Sequence, residues 1–274
     1  MRKGLIVGVS AILAVVCSQS AQAGEAEVKS LLAKKVAILT NLHQKAEKSI
    51  VNSAQDKIFS DYFSGASEAD KKALKQKIDA LSLNVQANFQ VEEMCLITDK
   101  GQEVSRIVGK KVAPDADLSA DEASSPFFKG AFTKEAKQVY ISPTYLSADA
   151  DKFVVAYTTP IMGGGKKAAI LHYEHGLNVF QENLDKDVSG ADLFVLAVDK
   201  DGYVLSDSRK RPAIAKQGEK KEVKDYFAKI PAALAGAVKL GQEGNGSYTD
   251  GGAKYLAAFK PLNDWTIVVV EKQK

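Results

Sequence analysis

The chain has 274 residues, of which 45% are apolar and 26% charged, with a formal net charge of +3. This length suffices for two modest domains or one large one, and the apolar content argues against a disordered chain. No block of like charge stands out, and Arg2 and Lys3 fall in a segment that we expect to be removed. The composition therefore gives no electrostatic support to nucleic-acid binding.

Residues 1–23 have the pattern of a signal sequence. Arg2 and Lys3 form its basic start, Leu5–Val16 its apolar centre and Ala21–Ala23 a small-residue cleavage pattern. We therefore predict cleavage after Ala23 and export of the mature protein, in the style of a bacterial periplasmic protein.

Two alternatives to a cleaved signal stay open. Lipid attachment at Cys17 is disfavoured by Val16, because the residue before a lipid-modified cysteine is normally small. An uncleaved anchor is disfavoured because about a dozen apolar residues is short for a membrane span.

After removal of residues 1–23 the chain keeps one cysteine, Cys95, within the apolar run Met94–Ile97. A single thiol forms no disulfide within the chain, and the Cys and His spacings of haem and zinc motifs are absent. His172 and His175 are an odd number of positions apart, which places them on opposite faces of a strand and disfavours a shared metal ion. We predict a buried core thiol, no cofactor and no metal site.

Residues 24–90 are predicted to form a helical region. Ala26–Ala54 carries apolar residues at gaps of three and four, which indicates a long amphipathic helix. Asp56–Phe63 is a shorter helix, and Ser67 is the N-cap of a third that reaches about Phe89. These helices could form a packed stalk or a dimerisation face, and the pattern does not decide between the two.

Residues 91–185 contain the strands of a first antiparallel sheet. Val91–Thr98 and Gln102–Val108 are strands joined by a turn, and a short aromatic helix follows at Pro126–Phe132. Three more strands then lead to Ala168–Glu174. One face of such a sheet is buried and the other can cup a ligand. Ring side chains are frequent in this stretch: Tyr140, Tyr145, Tyr157, His172 and Tyr173.

Residues 190–274 repeat the same order of elements. Leu193–Val198 and Tyr203–Asp207 are strands around the turn Asp199–Gly202, a helical connection is predicted over Glu222–Leu240, and three strands follow. An imperfect internal repeat of this kind indicates two like modules in tandem. The predicted fold class is α+β: a long N-terminal helix followed by two modules, each an antiparallel sheet with flanking helices.

This double pattern resembles the double Cache (tandem PAS-like) sensor domains of bacterial chemoreceptors, histidine kinases and cyclic-di-nucleotide enzymes. The resemblance is carried by Asp99-Lys100-Gly101 with Arg106 in the first hairpin, by Pro126–Ala131 and by Ile141–Tyr145. In the second module it is carried by Ala197–Tyr203 and Trp265–Val269. It covers about residues 26–274.

The resemblance implies an extracytoplasmic sensor, with residues 91–185 as the membrane-distal module and residues 190–274 as the module of membrane-proximal type. The family usually lies between two transmembrane helices, and we expect this chain to be the sensor module alone. Amino-acid-binding members carry an Arg-x-Trp-Tyr signature near the aromatic helix and an aspartate on the last distal strand. Pro126–Phe128 and Leu171–Glu174 depart from that pattern, which argues against an amino-acid ligand.

Five residues of the first module are candidate ligand contacts. Arg106 is a fork donor suited to a carboxylate, with a salt bridge inside the sheet as the alternative. Tyr145 follows a stiff Ser-Pro turn and could line the mouth of a pocket. For Phe128 and Tyr157 the alternative is core packing, and His172 could instead be a satisfied histidine of the core or surface.

The sequence carries no motif of a hydrolase, P-loop enzyme or metalloprotease, so we predict that the protein is not an enzyme. We predict a small-molecule-binding sensor for an organic acid, amine or similar ligand, which relays occupancy to a membrane-bound signalling protein. The alternative is a non-catalytic periplasmic interaction or structural protein that dimerises through its N-terminal helix. A periplasmic hydrolase or redox protein ranks third.

Overall fold

The computed structural model describes residues 10–89, 91–188, 190–211 and 222–273, with side chains from residue 24 onward apart from those of residues 87 and 88. Arg2 and Lys3, which begin the predicted signal sequence, lie outside the described residues. Among the helices that are described, none combines the length and apolar character needed to span a bilayer.

Three helices precede the first sheet: α1 (Ser10–Ala54), α2 (Lys57–Phe63) and α3 (Glu68–Phe89). The Asp56 carboxylate caps α2 by accepting from the backbone N–H of Ile58 at 3.0 Å, and Ser67 Oγ accepts from Asp70 N at 3.2 Å at the start of α3. The buried residues of α1 recur at gaps of three and four, as predicted for an amphipathic helix. They are Val28, Leu32, Lys35, Leu39, His43, Ala46 and Ile50.

The first sheet is antiparallel throughout and has the strand order β3-β2-β1-β7-β6-β4, with β5 also paired to β6. Its strands are β1 (Glu93–Thr98), β2 (Glu103–Val108), β3 (Lys111–Val112), β4 (Tyr140–Ile141), β5 (Tyr145–Ser147), β6 (Lys152–Gly163) and β7 (Lys166–Gly176). A short 3-10 helix (Asp115–Asp117) and the helix α4 (Phe128–Phe132) lie in the connection from β3 to β4.

The two faces of this sheet differ in what covers them. On one face Tyr157 of β6 contacts His43 of α1, and Ser105 of β2 donates to Asp79 of α3, so the long helices cover it. On the other face apolar side chains of β1, β6 and β7 pack against α4 and the segment before it. This cluster comprises Cys95, Ile97, Phe127, Phe128, Ala131, Ala156 and Ile170. The candidate site lies on this second face.

The second sheet follows α5 (Leu177–Asp185) and has the order β10-β11-β12-β8-β9, again antiparallel. Its strands are β8 (Leu193–Asp199), β9 (Val204–Asp207), β10 (Gly244–Asp250), β11 (Ala253–Leu262) and β12 (Trp265–Lys272). The predicted helical connection over Glu222–Leu240 is wrong for most of its length, because only α6 (Val223–Tyr226) and α7 (Ala232–Ala235) are helical. Pro231 lacks a backbone N–H and interrupts any continuous helix.

The first hairpins of the two sheets have the same turn geometry. In the first, Thr98 Oγ1 accepts from the backbone N–H of Lys100 and Gln102 at 3.3 and 3.1 Å. In the second, Asp199 Oδ1 accepts from the corresponding N–H groups of Asp201 and Tyr203 at 3.0 and 2.8 Å. Each turn ends in a glycine with a positive φ, 83° at one and 87° at the other: Gly101 and Gly202. The structure thus confirms two tandem modules of one design and the α+β class.

The chain divides into two compact units. One comprises Leu39–Phe180 with the described part of Pro212–Phe227 and contains the first sheet. The other comprises the described parts of Met1–Ile38, Gln181–Arg211 and Ala228–Lys274 and contains the second sheet. The boundaries at residues 90, 185 and 190 drawn from the sequence stay predictions.

Candidate functional site

A cavity of about 160 Å³ lies beside β1, β5 and β7 in the first unit. Its lining is rich in carboxylates and includes neither lysine nor arginine. The acidic residues are Glu93, Glu103, Glu122, Asp149 and Glu174. Carboxylates gathered in a concave site are complementary to a positively charged ligand.

Strand alternation and register bring four polar side chains of β1 and β7 together beside this cavity, and three of them, Glu93, His172 and Glu174, line it. Glu93 and Cys95 point to the same face of β1 because they are two residues apart, and His172 and Glu174 do so on β7. The antiparallel register places Glu93 opposite Glu174 and Cys95 opposite His172. We call these four residues the polar quartet. Each is at most 4% exposed, so the four polar side chains form one buried cluster across the two strands.

The polar quartet is only partly satisfied by hydrogen bonds. The Cys95 thiol lies 2.8 Å from Glu93 Oε1 and 3.3 Å from Glu103 Oε1, although it has one proton to donate. The Tyr145 hydroxyl donates to Glu174 Oε1 and lies 3.1 Å from His172 Nε2. Within the described part of the chain, His172 Nδ1 has no hydrogen-bond partner. A buried polar atom without a hydrogen bond costs stability.

Burial drives the titratable groups of the cavity toward their neutral forms. It raises the pKa of Glu174 to about 7, and it raises the pKa of Glu93 well above its ordinary range, helped by the nearby charge of Glu174. Burial lowers the pKa of His172 to about 3, since a charged imidazole is not solvated there. It also raises the pKa of the Cys95 thiol well above its usual value. A cation in the cavity would reverse these preferences for the acids and the thiol.

The described residues around the quartet include no neutralising side chain. Among the described residues, no Lys or Arg nitrogen lies within ion-pair distance of the Glu93 or Glu174 carboxylates. The cation closest in the register is Arg106, opposite Cys95 on β2, and it is already engaged. Its Nη1 lies 3.2 Å from Glu103 Oε2 and 3.0 Å from Asp149 Oδ2. Two buried carboxyl groups therefore lack a positive partner.

Phe127 covers the imidazole of the quartet. Its ring lies 4.0 Å from the His172 ring, centroid to centroid, with 30° between the planes, and it also contacts Tyr145. Phe127 is 4% exposed and immediately precedes α4. The segment that carries Phe127 thus closes one side of the cavity.

The predicted candidates fall into different places. Tyr145 and His172 both line the cavity and contact each other. Arg106 forms the intra-sheet salt bridges that were its alternative interpretation, and its Nη2 also donates to the Asp117 carbonyl oxygen. It is therefore a support of the acidic residues rather than part of the lining. A ligand contact of these residues stays a prediction.

Phe128 and Tyr157 lie away from the cavity lining. Phe128 is a member of the apolar cluster under α4 and contacts Phe132. Tyr157 lies on the helix-covered face of the sheet, where its hydroxyl and His43 Nδ1 are 2.6 Å apart. The structure thus places both residues in core packing, which was the stated alternative for each, and their predicted ligand contacts have no support from this geometry.

Sequence reasoning missed Glu93, Cys95, Glu174 and Phe127. Alternation along β1 would have grouped Glu93 with Cys95, and alternation along β7 would have grouped Glu174 with His172. Only the pairing register, which is set by three-dimensional packing, brings the two pairs together. The signal was present, but its two halves lie far apart in the chain.

A larger open groove of about 670 Å³ lies between α2, α3 and the first hairpin. Some of its charged side chains form ion pairs: Lys75 lies 3.0 Å from both Asp79 and Asp115, and Lys166 lies 3.5 Å from Asp99. An open groove with exposed charges is a weaker candidate than a small cavity with buried, unpaired carboxyl groups.

Solved structures with the same arrangement are bacterial sensory domains. The sensory domain of the Campylobacter jejuni chemoreceptor Tlp3 aligns with a TM-score of 0.73 at 14% identity, over 93% of this chain and 96% of that one. The sensor domain of the V. cholerae histidine kinase DctB gives 0.66 at 14%, over 92% and 98%.

The ligand-binding domain of the Pseudomonas aeruginosa amino acid chemoreceptor PctB, in complex with L-Arg, gives a TM-score of 0.60 at 15% identity. The alignment covers 91% of this chain and 95% of that one. No family profile matches the sequence, and neither does any curated protein sequence. At these identities the likeness establishes the fold. The chain has the α+β fold of double Cache sensor domains, with a long N-terminal helix and two tandem PAS-like modules.

Proposed function

We propose that this protein is an extracytoplasmic sensor module that binds a small positively charged ligand in the acid-lined cavity of its first PAS-like module. The observation that carries the proposal is the buried polar quartet, whose carboxyl groups have no cationic partner in the described structure. Burying such groups without a partner is unfavourable, and a bound cation supplies one.

Export to the periplasm and relay to a membrane-bound signalling protein belong to the same proposal. They are supported by the signal-sequence pattern of residues 1–23 and by the fold, which is shared with chemoreceptor and histidine kinase sensor domains. One such domain was solved with L-Arg, a ligand with a cationic side chain. The proposed charge of the ligand follows from the lining of this cavity and not from that relative.

The proposed response is a population shift. A cation held by the quartet draws the Tyr145 hydroxyl and the Phe127 ring onto the site and so favours the arrangement in which the segment before α4 is closed. A ligand shifts the equilibrium only by its preference for one arrangement, so the effect requires contacts to Phe127 or Tyr145 that exist in the closed form alone.

A thermal-shift screen tests the charge of the ligand. The purified protein is heated with primary amines, diamines, basic amino acids and divalent metal ions, and in parallel with carboxylates and phosphates. Binding to the native state raises the melting temperature, and a ligand at about 100 times its Kd adds about 2.7 kcal/mol. We expect hits among the cations.

Glu174→Gln removes a buried carboxyl group with little change of shape and should reduce the shift. The matched control, Glu135→Gln, changes an exposed carboxylate outside the cavity and should leave the shift intact. Stabilisation by anions alone, or an equal shift in Glu174→Gln, would overturn the proposal.

A further inference from the structure

Three side chains of the quartet have the chemistry of metal ligands. Glu93, Cys95 and His172 each offer one ligand atom, and these atoms lie within 4.8 Å of one another. Bonds of about 2.0–2.3 Å in a tetrahedral site separate neighbouring ligand atoms by about 3.3–3.8 Å. Small rotations of buried side chains would close the remaining gap.

The atoms of this cluster lack partners that a bound cation would supply. His172 is 1% exposed, and its Nδ1 has no hydrogen-bond partner among the described residues. The Cys95 sulfur lies close to the carboxylates of both Glu93 and Glu103, and a thiol proton can serve only one of them. A metal ion would be coordinated by the sulfur as a thiolate and by a carboxylate oxygen at the same time.

The donor set selects the kind of cation. An organic ammonium is held by oxygen and imidazole-nitrogen acceptors, but a thiol sulfur offers it only a weak one. Mg²⁺ and Ca²⁺ prefer oxygen ligands throughout, whereas sulfur, nitrogen and one carboxylate suit Zn²⁺ and related ions. Thiolate and carboxylate together carry two negative charges, which balances a dication within a buried site.

We infer that Glu93, Cys95 and His172 bind a transition-metal dication of the Zn²⁺ type. The inference rests on the proposed function and specifies it: the cation that the cavity takes is a metal ion. Tyr145 and Glu174 surround His172 and hold its orientation, as hydrogen-bonded groups around metal ligands do. The Cys95 proton is released to solvent when the metal binds. Three protein ligands leave a coordination position open toward the cavity.

Titration of the full-length protein with Co²⁺ tests the inference, because a Co²⁺–thiolate bond gives a charge-transfer band in the near ultraviolet. We expect a band that saturates at one Co²⁺ per chain, disappears when Zn²⁺ is added, and is accompanied by proton release in weak buffer. Zn²⁺ should also raise the melting temperature of the protein.

Matched variants locate the site. Cys95→Ser and His172→Gln should abolish the band, and Glu93→Gln should weaken Co²⁺ binding about 10-fold or more. Cys17→Ser changes the other cysteine of the chain, and His175→Gln changes the histidine on the opposite face of β7; both should keep the band. Circular dichroism identifies any variant that fails to fold, and Cys95→Ala then replaces Cys95→Ser as the test.

The outcomes distinguish the metal site from the broader proposal of a cation-binding sensor. A band lost in Cys95→Ser and His172→Gln but kept in both controls establishes the metal site. A band that is absent, or that survives in folded Cys95→Ser, overturns it. If metal ions are silent while an organic amine raises the melting temperature, the metal inference fails and the cation sensor stands. If neither binds, both fail.

Discussion

The two PAS-like modules use the same four positions in opposite ways. With the hairpin turns superposed, Glu93 and Cys95 of β1 correspond to Phe194 and Leu196 of β8. The register then equates His172 and Glu174 of β7 with Val268 and Val270 of β12. In the second module these four residues belong to one apolar core together with Leu234, Val238, Ala257 and Phe259.

This comparison indicates that the four positions are core positions of the fold, which apolar side chains suit best. The second module has apolar residues at all four, and each is at most 3% exposed. The first module buries two carboxyl groups, a thiol and an imidazole just as deeply, which lowers its stability unless a partner is bound. Polar residues that oppose folding are expected where a protein binds something.

The largest effect should come from giving the second module a residue of the first. Val270→Glu places a carboxyl group among Phe194, Leu196 and Val268 in the apolar core of the second module. We expect the free energy of unfolding to fall by about 3–5 kcal/mol, because an uncompensated buried charge is among the costliest substitutions. Urea denaturation followed by circular dichroism measures the change.

Thr249→Glu, at an exposed position of β10, is the control for a new carboxylate in the same module. It should change stability by no more than about 0.5 kcal/mol. A loss below about 1 kcal/mol in Val270→Glu would contradict the claim that these positions require apolar side chains.

The reverse exchange should stabilise the first module. Glu174→Val gives it the residue of the second and removes a buried carboxyl group without a cationic partner. We expect a gain of about 2–3 kcal/mol in the free energy of unfolding near pH 8, measured with a metal chelator present. Binding in the cavity should be weakened in the same variant, so stability and function would change in opposite directions.

Glu135→Val serves as the control for this gain, since its carboxylate is exposed and pairs with Lys167 at the surface. It should change stability by no more than about 0.5 kcal/mol. A loss of stability in Glu174→Val would mean that the hydrogen bond from Tyr145 outweighs the cost of burying the Glu174 carboxyl group. The difference between the two modules would then give no support to ligand binding.

The fold followed from the sequence to a large extent. The apolar spacing of α1 predicted its helix and the repeated turns around Asp99 and Asp199 predicted two modules, because both signals are local. The stripe of α1 nevertheless buries Lys35 and His43, whose partners lie far along the chain. The helix predicted over Glu222–Leu240 failed because tertiary pairing, such as the bridge from Tyr203 to Lys229, overrides local propensity there.

The site followed from the sequence only in part. Tyr145 and His172, which line the cavity, were named as candidates because aromatic and imidazole side chains are chemically distinctive on their own. Cys95 was predicted to be a core thiol and Glu93 drew no prediction, since neither is unusual until the register places them beside His172. A site assembled across two strands is visible in the sequence only once their pairing is known.

The helix-covered face of the first sheet offers a third case, in which a buried polar group has a partner. The Tyr157 hydroxyl lies 2.6 Å from His43 Nδ1, and burial lowers the pKa of His43 from 6.5 to about 4. Below pH 6.5 His43 is protonated in the unfolded chain, whereas in the folded protein it becomes protonated only near pH 4. Stability should therefore be unaffected above pH 6.5 and should decrease as the pH falls through this window.

Between pH 7 and pH 5 this His43 contribution should lower the free energy of unfolding by about 2 kcal/mol, and His43→Gln should lack that part of the decrease. Burial lowers the pKa of His175 to about 4 as well, which adds a slope of the same sign. Glu174, whose pKa is raised to about 7, contributes the opposite slope, because its stabilising proton is lost as the pH rises. The difference between wild type and His43→Gln cancels the Glu174 contribution, but it cancels the His175 contribution only in part, because the charge of His43 also lowers the pKa of His175. Equal pH dependence in the two proteins would show that His43 is protonated as readily in the folded protein as in the unfolded chain. The Tyr157–His43 pair could then not serve as a reference for the polar quartet.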